Sequence, residues 1–179
     1  MKTIEYEQKK QLEEWTSLKC YDILFDSNVD DWSEDTSVFN DRIIGNKQLT
    51  FLIEDEDGEK FGYYLNTQVV EEYSWRQTDS KSFEFNLQSQ NNRLKKPMKF
   101  EIKDLKKGRI YLHGKSDDEL IWLEDIWLIK ENYKDKSFCV QNEDRFDYHG
   151  IENALCGKEQ DILGRMYFTP KRILVIQMK

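Results

Sequence analysis

The segment FDYHGIENALCGKEQ, residues 146–160, combines the residue types from which an enzyme could build an active site. His149 and Cys156 suggest a nucleophile pair, and a glycine-lysine step suggests a phosphate-binding loop. On a helix, however, the two side chains would lie roughly 10 Å apart along the axis, whereas a thiolate–imidazole contact requires about 3 Å. A phosphate loop would need glycine at position 152 and serine or threonine at position 159, where the sequence has Glu152 and Glu159. We therefore predict a glycine-flanked helical turn with a buried structural thiol and no catalytic function.

A second candidate for chemistry is the acidic segment EDEDGE, residues 54–59, whose carboxylates precede a glycine as in a calcium-binding EF-hand loop. Aligning Gly58 with the invariant glycine of that loop places Ile53 at the first ligand position and Tyr64 at the last. Neither side chain supplies the carboxylate oxygens that calcium requires. We predict instead that Gly58 closes the turn of a β-hairpin.

The remaining histidines and acids form no recognisable catalytic or metal-binding pattern. His113 and His149 lie 36 residues apart and have no cysteine or histidine neighbour at ligand spacing. Adjacent carboxylates such as Glu124-Asp125 arise readily in a chain with 35 acidic residues, and we interpret them as solvated turns. The sequence therefore predicts no catalytic residue and no metal site.

Charge is distributed unevenly along the chain, whose net charge is -8. Residues 1–60 hold seven basic and sixteen acidic residues, whereas residues 93–109 hold eight basic and two acidic ones. An acidic protein argues against tight non-specific binding of nucleic acid, but the basic stretch leaves a phosphate-bearing partner open. The structural alternative is that lysines between strands keep sheet edges from pairing with other chains. The candidate phosphate contacts are Lys95, Lys96, Lys106 and Lys107.

The sequence contains neither a membrane span nor a secretory signal. No run of eighteen apolar residues occurs, and the N-terminal MKTIEYEQKK lacks the apolar core of a signal peptide. Three cysteines without a CxxC spacing are typical of reduced thiols. We therefore expect an intracellular protein, in the cytoplasm or the nucleus.

Aromatic residues make up 13% of the chain, which is more than a disordered segment carries. We interpret the five tryptophans mainly as core residues. Trp32 differs because it lies in the acidic segment NVDDWSED, and it is the candidate for exposure to a partner protein.

Hydrophobic periodicity predicts a chain that begins with helices and continues as strands. Residues 4–18 carry apolar side chains near helical spacing, and a second short helix is expected at about 35–44. Further along, apolar residues alternate with polar ones as in half-buried strands, for example in FEFNLQ at 83–88. RILVIQM, at 172–178, is apolar enough to be a central strand that is buried on both faces. We therefore predict one domain over residues 1–179, a mainly β sandwich of two mostly antiparallel sheets with a few peripheral helices.

Several segments of the chain follow one another in the order found in one protein family. They are ILFDSNVDDWSEDTSVFNDRIIGNKQLTFLIEDEDGEKFGYYL, YSWRQTDSKSFEFNL and, near the C-terminus, YFTPKRILVIQM. They include a short helix around Phe39, a Gly45–Lys47 step, the Asp57-Gly58 turn and the Phe61-Gly62 dipeptide. Over nearly the whole chain this order resembles that of TLDc domains, a module found in oxidation-resistance proteins.

The resemblance to TLDc domains implies a β-sandwich with peripheral helices, no cofactor and no accepted catalytic residues. It also implies a protein–protein interaction module with a role in oxidative-stress protection or in binding the vacuolar proton-pumping ATPase. We therefore predict a non-enzymatic module whose partner is another protein. The alternative is a DNA-binding transcriptional regulator that uses the basic stretch at 93–109.

Overall fold

The protein folds into two six-stranded antiparallel sheets with short helices at their periphery. The computed structural model describes residues 2–91, 93–106 and 108–179. The mainly β architecture of two antiparallel sheets with a few helices confirms the predicted fold class. The elements, in chain order, are α1 (Tyr6–Thr16), β1 (Cys20–Asp26), α2 (Phe39–Ile43), β2 (Leu49–Asp55), β3 (Lys60–Leu65), β4 (Trp75–Gln77), β5 (Phe83–Gln88), β6 (Met98–Glu101), β7 (Arg109–Leu112), β8 (Glu119–Leu123), β9 (Ile126–Ile129), a 3-10 helix (Glu131–Lys136), β10 (Phe138–Cys139), β11 (Met166–Tyr167) and β12 (Pro170–Met178).

The two sheets have different strand orders, and the main core lies between them. Sheet 1 has the strand order β1-β12-β2-β3-β5-β6, and sheet 2 has the order β11-β10-β9-β8-β7-β4. The main core fills the space between the sheets and contains apolar side chains from both. Strand β12 lies between β1 and β2, and its residues Ile173, Leu174, Val175 and Ile176 are all buried, which confirms the prediction of a central strand.

Helix α1 covers the outer face of sheet 1 and confirms the predicted N-terminal helix. Leu12 is fully buried there, and the Trp15 ring centroid lies 6.1 Å from that of Phe83 and 6.0 Å from that of Phe85. Apolar side chains of β2, β3, β5 and β12 complete this second, smaller core. The central strands of sheet 1, β12, β2, β3 and β5, are therefore buried on both faces.

The hairpin between β2 and β3 turns where the sequence predicted. The Asp55 carboxylate accepts hydrogen bonds at 2.9 Å from the backbone N–H groups of Asp57 and Glu59, and Gly58 has a φ of +87°. A positive φ costs glycine little because it has no Cβ. The segment is a turn, as expected, and within the described residues no group of three histidines, cysteines or acids could hold a metal ion.

Strand β5 departs from the prediction of a half-buried strand. Its Phe83, Phe85 and Leu87 pack beneath α1, and its Glu84 and Asn86 are also buried, on the opposite face. The alternation was correct, but the polar face points into the sandwich rather than to solvent. Period two identifies two faces and does not reveal which of them is covered.

The predicted helix around Ala154 is wrong, because residues 152–156 form turns. Asn153 has a φ of +51°. The Arg93 guanidinium donates hydrogen bonds to the backbone oxygens of Asn153 and Ala154 at 2.9 and 3.1 Å. The Asn153 oxygen still accepts one helix-type bond, from the Gly157 N–H at 3.0 Å, but the left-handed φ of Asn153 interrupts a right-handed helix. The second predicted helix exists but is shorter than expected, as α2 begins at Phe39.

Trp32 was predicted to be exposed to a partner, and this is wrong. Its side chain is only 3% exposed and belongs to the main core, although acidic residues surround it in sequence. Its backbone oxygen also accepts a long hydrogen bond, 3.4 Å, from the Glu131 N–H at the start of the 3-10 helix.

Over the described ranges, no helix is both long enough and apolar enough to cross a membrane.

Candidate binding face

The outer face of sheet 2 carries one aromatic side chain on each of its six strands. Each of these residues is the direct cross-strand partner of the next, so that they form a single line across the whole sheet. With strands about 4.8 Å apart, the line is roughly 24 Å long. We call it the aromatic row, and its members are Trp75, Tyr111, Trp122, Trp127, Phe138 and Tyr167.

Strand alternation positions the aromatic row. The neighbours of these residues along β7, β8 and β9 are branched aliphatic side chains that point into the main core, so the aromatic residues between them must point outward. The buried inward set is Ile110, Leu112, Ile121, Leu123, Ile126 and Leu128.

The central rings of the aromatic row stack face to face on one another. The Trp122 and Trp127 rings are 4.2 Å apart with an interplanar angle of 27°, and the Trp127 and Phe138 rings are 4.8 Å apart at 13°. Nearly parallel rings this close must overlap face to face, because rings lying side by side in one plane would collide. The central rings therefore use their faces on each other and present their edges to solvent.

The ends of the aromatic row are the most exposed part of it. Trp75 is 45% exposed at one end and Tyr167 is 42% exposed at the other, whereas the four rings between them are half-buried. A guanidinium group lies at each end. That of Arg109 is 6.0 Å from the Trp75 ring centroid, and that of Arg165 is 5.7 Å from Phe138 and 5.8 Å from Tyr167. The face thus combines six aromatic rings with two cations.

The hairpin that carries the two central tryptophans is held by a buried acidic turn. Glu124-Asp125, which connects β8 to β9, was predicted to be solvated, and this is wrong because both residues have no exposed surface. The Trp122 indole N–H donates to the Glu124 backbone oxygen. The Glu124 carboxylate accepts from the Thr78 hydroxyl at 2.8 Å and lies 3.4 Å from the Tyr63 hydroxyl.

Asp125 belongs to a network that joins the two sheets. Its backbone N–H donates to Glu84 Oε1 at 3.0 Å, and its carboxylate lies 3.1 Å from Arg145 Nη1. The Tyr148 Oη atom lies 2.5 Å from Glu84 Oε2 and 2.7 Å from Asp125 Oδ2. A hydroxyl has one proton to donate, so one of these two carboxyl groups must itself donate a proton to Tyr148.

The position of the cation identifies which carboxyl group of this network holds the proton. Arg145 stabilises a negative charge on Asp125, whereas Glu84 lies in the interior of the sandwich. Burial raises the pKa of both carboxyl groups, but hydrogen bonds from Tyr148 and the Asn142 N–H and the charge of Arg145 oppose the rise at Asp125. Burial, followed by the charge of Asp125, raises the pKa of Glu84 well above its usual value. Burial also raises the pKa of Glu124 to about 7. Glu84 is therefore the protonated member, and the proton order is Glu84 to Tyr148 to Asp125.

The basic stretch at 93–109 does not form one charged surface. Arg93 is part-buried and pairs with Glu59 at 2.7 Å, and Lys99 pairs with Glu101 at 2.9 Å. Lys103 donates to a backbone oxygen. Three of the predicted phosphate contacts are exposed, namely Lys95, Lys96 and Lys106. The fourth, Lys107, lies outside the described residues.

The residues considered for nucleophilic catalysis do not come together. His149 is exposed and its Nδ1 lies 3.5 Å from the Asp147 carboxylate, whereas Cys156 is fully buried and its thiol lies 3.7 Å from the Met166 backbone oxygen. Cys139 is also buried, and burial raises the pKa of its thiol well above the usual value. The geometry offers no imidazole that could activate a thiol in this segment.

The aromatic row was not found from the sequence, although part of its signal was present. In LIWLEDIWLI the two tryptophans are placed symmetrically about Glu124-Asp125. If those two residues form the turn, Trp122 and Trp127 become direct cross-strand partners on the same face. The other four residues lie in separate segments, and only the strand order brings them into line.

The sequence matches no model of a protein family and no curated protein. The resemblance to TLDc domains stays a prediction.

Proposed function

We propose that this protein is a non-enzymatic module that binds another protein through the aromatic row of sheet 2. The observation that carries the proposal is the unbroken line of six aromatic residues across a partly exposed sheet face. Tryptophan, tyrosine and arginine are the residues most enriched at the energetic centres of protein interfaces. The row contains three tryptophans and two tyrosines and has an arginine at each end.

The dimensions of the aromatic row suit a protein partner. A standard interface covers about 800 Å² on each partner, which corresponds to a square of roughly 28 Å per side. The row, roughly 24 Å long by its strand spacing, spans most of that distance. Nucleic-acid bases stack on the faces of aromatic rings, and the central rings of the row have their faces occupied by one another.

The identity of the partner rests on the resemblance to TLDc domains. That resemblance favours subunits of the vacuolar proton-pumping ATPase, and a place in the oxidative-stress response. The second candidate function is DNA binding, which the exposure of Lys95, Lys96 and Lys106 favours. Phosphate contacts lose affinity steeply with salt, by roughly a thousandfold for about six contacts between 50 and 200 mM, whereas an apolar interface does not.

The two functions can be separated by capture from a cell lysate at both salt concentrations. The test variants are Trp75→Ser and Tyr167→Ser at the exposed ends of the row. Tyr6→Ser is the matched control, because Tyr6 is an exposed aromatic residue on α1. Truncation of an aromatic residue that acts as an interface hot spot costs about 2 kcal/mol or more, which is roughly thirtyfold in affinity.

We expect a protein, including any ATPase subunit, to be captured at both salt concentrations, to be lost with the row variants and to be retained with the control. Equal capture by all variants would contradict the proposal. Salt-sensitive capture of DNA that is lost on reversing the charge of Lys95, Lys96 and Lys106 would favour the DNA-binding alternative.

A further inference from the structure

Two aliphatic side chains project fully into solvent beside the Tyr167 end of the aromatic row. Ile162 is 101% exposed and Leu163 is 65% exposed. They lie at the tip of a short turn, Asp161–Arg165, that leads directly into β11. Two adjacent side chains this exposed leave apolar surface in contact with water. Binding to a partner would bury that surface.

The turn is held in one conformation by its own hydrogen bonds. The Asp161 carboxylate accepts from the backbone N–H groups of Leu163 at 2.8 Å and of Arg165 at 2.9 Å. The Asp161 backbone N–H donates to the Arg165 oxygen at 2.9 Å, and the Asp161 backbone oxygen accepts from the Gly164 N–H at 3.0 Å. Gly164 has a φ of +75°. The backbone N–H bonds lower the pKa of Asp161, so the carboxylate is charged at neutral pH. A fixed turn loses little conformational entropy on binding.

Acidic groups lie beside Leu163 and just before the turn. Leu163 lines a shallow groove together with Glu143 and Asp144, and both of these acids are exposed. Glu159 is exposed just before the turn. The cation of the turn, Arg165, lies 3.4 Å from the Asp161 carboxylate and packs over the rings of the row. The rim of this apolar tip is therefore predominantly negative.

We propose that Ile162 and Leu163 insert into an apolar pocket that a partner protein rims with lysine or arginine side chains. The inference rests on the proposed function, since it takes the protein to act by binding another protein. Charge complementarity determines the occupant. An anionic membrane would be repelled by Glu143, Asp144 and Glu159, and a second copy of the same turn would bring acid against acid.

The test uses the full chain with a photoreactive benzoylphenylalanine in place of Leu163, irradiated in lysate of the native cells. The crosslinked protein is identified and purified, and its affinity is measured for the wild type and for Ile162→Ser. Val29→Ser is the matched control, because Val29 is a similarly exposed aliphatic residue in a loop between β1 and α2. Because Ile162 makes no buried contact, the substitution does not threaten the fold.

We expect Ile162→Ser to weaken binding at least tenfold, and Ile162→Ser with Leu163→Ser about a hundredfold, with no change for Val29→Ser. Glu143→Lys with Asp144→Lys should weaken binding further, because the reversed charges would face the basic rim of the partner's pocket. Failure to crosslink any protein, an affinity unchanged by Ile162→Ser, or tighter binding after the charge reversal would overturn the inference.

Two parallel measurements examine the other occupants. Binding to vesicles of phosphatidylcholine and phosphatidylserine, or a dimer in sedimentation equilibrium, would overturn the inference if Ile162→Ser abolished either one. Trp75→Ser separates this inference from the proposed function. A partner lost with Trp75→Ser but kept with Ile162→Ser would refute only the role of the turn, and the opposite pattern would refute only the role of the row.

Discussion

Replacing Glu84 by glutamine tests the proton order in the buried network. Glutamine has the shape of a protonated glutamate, so its oxygen can accept from the Asp125 N–H and its amide can donate to the Tyr148 hydroxyl. All hydrogen bonds of the network then survive. The substitution removes only the proton that the glutamate carboxyl group can release.

The size of the effect follows from the raised pKa of Glu84. A group whose pKa is raised on folding makes its full contribution to stability below its unfolded-state pKa, which is about 4.5 here. This contribution is lost as pH rises toward the folded-state pKa. Each pH unit in that window costs about 1.4 kcal/mol. At any pH between those two pKa values the wild type should therefore lose stability as pH rises, and Glu84→Gln should lose none of it.

The assay is urea unfolding followed by tryptophan fluorescence at pH 5, 6 and 7 at constant ionic strength. Glu84→Gln should reduce the slope of unfolding free energy against pH by about 1.4 kcal/mol per unit and be the more stable protein at pH 7. Glu152→Gln is the control, because it removes an exposed carboxylate outside the network. If Glu84→Gln leaves the slope unchanged or destabilises the protein at pH 7, Glu84 is ionised and the proton order is wrong.

Three further predictions concern stability and thiol reactivity. Asp125→Asn should destabilise the protein by about 3 kcal/mol in urea unfolding, because it removes the nearer of the two buried carboxylates beside the Arg145 cation, the other being Glu124 at 3.7 Å; a loss below 1 kcal/mol would contradict the ion pair. Gly62→Ala should lower the melting temperature severely, because a Cβ there would lie 1.8 Å from a backbone oxygen of β2, and a normal melting curve would show that the strands separate at little cost. Burial raises the pKa of Cys20 to about 11 and that of Cys139 well above its usual value, so both should react with a thiol reagent at neutral pH far more slowly than in urea, and rapid labelling of either in the native protein would refute this.

The fold class could be predicted from the sequence because the alternation of apolar residues and the turn glycine are local signals. Asp55 and Gly58 contain the information for the β2–β3 hairpin within a few residues, and the structure uses both as expected. The apolar stripe of α1 is likewise readable without knowing what it covers.

The buried polar groups could not be predicted because their environment depends on residues far away in the chain. Glu84 is acceptable inside the sandwich because Tyr148 and the Asp125 N–H, which are 64 and 41 residues away, provide hydrogen-bond partners. Glu124-Asp125 looks like a solvated turn until Thr78 and Arg145 are placed beside it. Trp32 was misjudged for the same reason, since its acidic neighbours in sequence are not its neighbours in space.

The central position of β12 in sheet 1 has a consequence for the order in which the protein can assemble during synthesis. Arg172 in β12 pairs with Asp26 in β1 across 146 residues, and β12 is also the strand that joins β1 to β2. Until β12 leaves the ribosome, β1 has no partner and the edge of β2 is open. Contacts between such distant residues slow folding. Until β12 is synthesised, the nascent chain therefore carries one unpaired strand and one open sheet edge, and this is the period when it most needs a chaperone.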